Sequence, residues 1–136
     1  MTEPTGALMT ALRTRLIADA GVSALVPATN IQDRNARPEV FPVILIGECR
    51  MLDEPGNAMR VRVFPTLHVF VKEPSLAQAK AIAWAIRQCL RPPATWTDID
   101  GWWASNVDFV SVQYIRDPTG EHSHAAIEIE ALMGET

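Results

Sequence analysis

Residues 107–133 constrain the fold most. Two strand-like segments, about 107–116 and 122–133, flank the tetrapeptide Asp117-Pro118-Thr119-Gly120. Proline at the second position and glycine at the fourth suit a type I turn, so the two segments are expected to close an antiparallel hairpin. In the second of them Ile127 and Ile129 alternate with Glu128 and Glu130, the pattern of a strand with one dry and one wet face.

The rest of the chain extends this pattern. Residues 43–50, VILIGECR, and about 59–72 read as a second pair of strands around the turn signals of 52–58. Pro65 interrupts the second of these, which implies an edge position or a bulge. Two helices are expected. Over residues 5–20, Leu8, Leu12 and Leu16 recur at four-residue spacing, with Thr5 as a cap and Gly21 at the left-handed C-terminal position. Over 75–90 the apolar stripe is Leu76, Ala79, Ile82, Ala83, Ile86, Cys89 and Leu90, with Ser75 and Gln78 at capping-box spacing and Pro92-Pro93 as the stop. Residues 27–42 carry three prolines and no period, a loop long enough to suggest a contact role. The expected fold class is α+β: a mainly antiparallel four-stranded sheet with two helices on one face, order α-β-β-α-β-β, in a single domain spanning residues 1–136.

Composition excludes several classes. With 12 basic and 16 acidic residues the net charge is −4, and the arginines come in scattered pairs, which argues against a nucleic-acid clamp. No window approaches a membrane span, and the N-terminal stretch lacks the pattern of a signal peptide. Cys49 and Cys89 lie in apolar periodic segments and read as buried free thiols.

No catalytic motif stands out. His122 and His124 share a strand face, and a metal site would need His68 from another strand to join them; a structural role is the first reading of these residues. Glu128 and Glu130 read first as a solvated face, and only secondarily as a carboxylate pair for acid–base work. More informative are apolar residues that do not fit the core. Trp84 falls on the helix side opposite most of the stripe, together with Lys80, Arg87, Gln88 and Arg91, as an interface anchor would; the alternative is a tryptophan folded over the edge of its own domain. Trp102 and Trp103 are adjacent, so in extended chain they cannot both face one core.

Four features, in order, resemble the tail-completion or tail-terminator proteins of long-tailed bacteriophages and gene transfer agents. They are the helix-and-turn ALMTALRTRLIADAGVSALVP, the strand FPVILIGE, the strand-to-helix passage LHVFVKEPSLAQAKAIAWAIRQCL, and the closing hairpin QYIRDPTGEHSHAAIEIEA. Together they cover about residues 7–132. The family often carries tryptophan where this chain has Phe70, a mild departure.

The resemblance implies a non-enzymatic virion protein without cofactors, placed at the tail neck after assembly in the bacterial cytoplasm. Its partners would be sister copies in a hexameric ring, the tail tube protein and a head-side stopper or connector, with DNA passing through the lumen unbound. Interface candidates are Trp84, Phe41, Trp102, Trp103, Arg116 and Asp117; Glu128 and Glu130 are the candidates for channel or solvent charge. The rival readings are a head-completion or stopper ring, a cytosolic α+β ligand-binding module, and a metal-dependent hydrolase built on His68, His122 and His124.

Overall fold

Among the described residues the sheet has six strands, not the four expected, and it is mixed. A computed structural model describes residues 2–33, 38–57, 59–72, 76–91 and 95–136. The elements follow as α1 (Pro4–Ala18), α2 (Ala20–Ser23), a 3-10 turn (Ala28–Asn30), β1 (Ile31–Gln32), β2 (Val43–Asp53), β3 (Arg60–Val71), α3 (Ala77–Leu90), β4 (Thr95–Ile99), β5 (Trp102–Arg116) and β6 (Ser123–Glu135). Their order across the sheet is β1-β2-β3-β6-β5-β4. β1 runs parallel to β2, and every other neighbour is antiparallel. The hairpins β2–β3 and β5–β6 are the two expected ones, while β1 and β4 extend the sheet at either end. With three α-helices against six strands among the described residues, the molecule is mainly β, which corrects the α+β, four-stranded expectation.

Both long helices pack on one face. Along β3 and β6 the odd-numbered residues from Val61 to Val71 and from Ser123 to Met133 are buried, and the even-numbered ones are half-buried or exposed. Leu8, Leu12 and Leu16 of α1 and Ile82, Ile86 and Leu90 of α3 meet Leu67, Val69, Ile127 and Ile129, all essentially inaccessible. Each such side chain contributes roughly 1.5–3 kcal/mol through burial.

Local chemistry explains the boundaries. The α1 cap is Glu3, not Thr5: its carboxylate accepts from the amides of Thr5 at 3.1 Å and Gly6 at 2.9 Å, ahead of Pro4, which needs no acceptor. The Thr5 hydroxyl donates to the same carboxylate at 2.6 Å, and this bonding holds the Glu3 carboxyl below its usual range. Gly21 does not end a helix. Asp19, in an extended conformation, closes α1 and opens α2 by accepting from the Val22 amide at 2.9 Å. Pro65 sits at a buried position of an interior strand; the accompanying irregularity is a register shift on β2 between Ile46 and Cys49, directly opposite. Ser75, Pro92 and Pro93, with the centre of the 27–42 loop, lie outside the described residues.

Candidate subunit interface

α3 presents its outer side to solvent. Trp84 is 58% exposed, with the Arg87 guanidinium 5.0 Å over its ring, and Lys80, Gln88 and Arg91 are exposed around it. Beside this face a cleft of about 340 Å³ opens between α3 and β5, lined by Arg87, Leu90, Arg91 and residues 106–109. Asn106 there has a positive φ of 52°, at the first of two register shifts along β5. Arg87, Arg91 and Asn106 line the cleft with N–H donors, and Asp108 is the acid on its rim.

The sheet face away from the helices carries polar and aromatic groups. Arg62 bridges Glu54 and Glu130, each at 2.8 Å, so Glu130 is an ion-pair partner while Glu128 is exposed. His68 and His124 do meet by folding: His68 Nδ1 lies 2.8 Å from His124 Nε2, and His68 Nε2 lies 2.5 Å from Glu48. Phe70 stacks on His124 at 4.2 Å. Burial, reinforced by the neighbouring His68, pushes the His124 pKa down to about 4.

His122 takes a different course. Its Nδ1 lies 2.8 Å from Asp117, and its ring lies 5.7 Å from Phe41. Asp117 also accepts from the hydroxyl of Thr119 at 2.8 Å and from its amide at 3.2 Å, which lowers its pKa. Phe41 and Asp117 are thus both brought to the base of the β5–β6 turn, with Arg116 exposed beside them.

The tryptophan pair divides as adjacency in a strand requires. Trp102 is buried on the helix side, its Nε1–H donating to the Thr2 carbonyl at 2.8 Å. Trp103 lies across Gly134 on the other face, with Arg60 5.5 Å from its ring. The fourth tryptophan, Trp96, is not among the sequence candidates. It is buried in β4 beneath Arg15, whose guanidinium sits 4.5 Å over the ring, and it lines an apolar groove of about 830 Å³ between α1 and β4. Only Thr95-Trp96-Thr97 alternates; Ile99 falls out of phase with Trp96 at an irregularity in the strand, so the local signal is weak.

Of the sequence candidates, then, Phe41, Asp117 and Arg116 cluster, Trp84 stands apart on α3, and Trp102 belongs to the core. Among the described residues no group of three or more His, Cys, Asp or Glu side chains is placed to hold a metal ion. Burial pushes the thiols of Cys49 and Cys89 up to about 11, far from the range of a thiolate nucleophile.

No curated protein matches the chain by sequence. Among solved structures, a chain of the "Virion of native gene transfer agent (GTA) particle" superimposes with a TM-score of 0.78 at 21% identity, covering 95% of this chain and 96% of that one. That likeness speaks to the fold. A family model described as "Tail completion protein gp17" matches residues 10–134, nearly the whole sequence, and the chain therefore belongs to the tail completion protein family.

Proposed function

We propose that this virion structural protein is a tail terminator: a ring subunit, six to a ring, that caps the finished tail tube, stops its polymerisation and presents a surface to the head-side connector. The observation that carries this reading is the family match over residues 10–134. The molecule's own surface supports it, because a closed ring needs two different contact patches on every copy. An exposed tryptophan set among cations on α3 is such a patch, and the cluster of Phe41, Arg116 and Asp117 at the base of the β5–β6 turn is a second. The work is non-enzymatic assembly in the bacterial cytoplasm, followed by residence in the tail neck.

Charge fits a conduit. Six copies at −4 each sum to −24, which repels DNA from the ring as a whole. Glu128 on the helix-free face is the candidate for lumen charge; Glu130 is partly neutralised by Arg62. Retention of DNA by the assembled ring at low salt would rule this out.

Micrographs of particles lacking this protein test the whole reading. Overlong, headless tails are the expected result. Tails of normal length beside leaking heads would instead assign the chain to the stopper position.

A further inference from the structure

Two stretches of strand backbone lack a neighbour on one side among the described residues. β1 covers Ile44 and Leu45 of β2, and among the described residues nothing pairs with β2 on that side from its register shift onward, through residues 49–53. At the opposite side of the sheet β4 pairs with β5 only from Trp102 to Ser105, so β5 is open through the regular run 111–116 that follows its second register shift. At about 3.4 Å per residue the two free edges span roughly 17 and 20 Å.

Exposed apolar side chains gather on these edges. Met51 and Leu52 on β2 are 44% and 45% exposed; on β5 Ile115 within the run is 39% exposed, and Val110, in the register shift just before it, is 49% exposed. An unpaired strand edge that is also apolar is a template for strand addition, which native proteins ordinarily blunt with charge or cover. Charge differs between the edges. Lys80, Arg87, Arg91 and Arg116 border the β5 side, with Asp108 and, just past Arg116, Asp117 as the acids beside them. Glu48, Asp53 and Glu54 border the β2 side, where Arg50 is drawn over the Phe64 ring.

We propose that the ring closes by continuing the sheet: residues 49–53 of one copy add to residues 111–116 of the next. This rests on the ring reading above and revises its patches: Trp84 and the Arg116–Asp117 cluster both flank the β5 edge, and the complementary patch is the β2 edge. The two edges lie at opposite ends of one sheet, differ in charge and match in length, as head-to-tail association requires. Trp84 then sits on the rim of the junction, covered by the incoming β2.

Lysine at exposed edge positions blocks strand addition without touching the core. One variant carries Met51→Lys and Leu52→Lys, the other Val110→Lys and Ile115→Lys; melting of each alone confirms the fold. Sedimentation over a concentration series, with and without assembled tail tube, reads the outcome. Each variant is expected to need at least about tenfold more protein to assemble, a change equivalent to about 1.4 kcal/mol per junction. Mixed together, the two variants retain one good edge each and are expected to form a dimer and no ring. Rings formed normally by both variants would overturn the edge pairing and leave the ring intact. A wild-type chain that stays monomeric in every condition would overturn the ring, and the pairing with it.

Discussion

The two faces of the sheet are built from the same strands and differ in almost everything else. Toward the helices β3 and β6 place valine, leucine, isoleucine and alanine, packed dry; away from them the same strands place Arg62, His68, His124, Glu128 and Glu130. The first face works by volume and area. The second works by hydrogen bonds and charge, and much of it meets water. A single period-two alternation therefore separates what holds the molecule together from what it offers to others.

The largest effect expected lies on the dry face. Leu67→Ala removes a fully buried side chain from the middle of β3 and is predicted to cost about 2–5 kcal/mol, read by denaturant unfolding. The distinction between the faces breaks if this variant is as stable as the wild type. Next comes Gly134→Ala. The added methyl would meet the Trp103 indole on the other face, and forcing the ring aside is expected to cost about 1–3 kcal/mol. A neutral result would mean that Trp103 swings free and is available to a neighbour.

Protonation sharpens the comparison further. A contact of 2.8 Å between His68 Nδ1 and His124 Nε2 needs one N–H and one lone pair; two imidazolium rings would set N–H against N–H. The folded pKa of His124, about 4, lies below the ordinary 6.5, so between these values the unfolded chain binds more protons. Stability is complete above pH 6.5 and falls as the pH drops toward 4, by on the order of 1 kcal/mol after screening by solvent. Unfolding of the wild type and of His124→Gln at pH 7 and pH 5 checks it: the variant is expected to lose the pH dependence, and an unchanged slope would place the dependence elsewhere.

Legibility follows the same division. The β5–β6 hairpin, the Leu8-Leu12-Leu16 stripe and the α3 stripe announce themselves because burial imposes a period on consecutive residues. β1 has two residues and no period to show. β4 is five residues long, lies between a proline pair and the adjacent Trp102 and Trp103, and keeps no regular alternation, so the sequence shows four strands. Thr5 looked like a cap by residue type, yet Glu3 outcompeted it by reaching two amides at once. The contact between His68 and His124 joins residues from strands β3 and β6, and nothing local encodes it; His122, two residues away, went to Asp117 instead. The outward position of Trp84 was legible because helix geometry alone assigns its side.

The smallest expected effects sit where both regions meet solvent. Glu128→Ala, on the bare face, and Trp84→Ala, on the outer side of α3, each remove an exposed side chain and are predicted to change monomer stability by no more than about 0.5 kcal/mol, a shift of no more than about 2 °C in melting temperature. They are expected to part company in assembly. Trp84→Ala removes a large apolar surface that only a partner can cover, so ring formation weakens while the monomer melts unchanged. Glu128→Ala leaves the ring intact and changes only the charge on the bare face. If Trp84→Ala instead melts far below the wild type, the indole is packed by its own domain and the outer side of α3 loses its claim to be an interface. If Glu128→Ala blocks assembly, the bare face is itself a contact between copies and does not line an open channel.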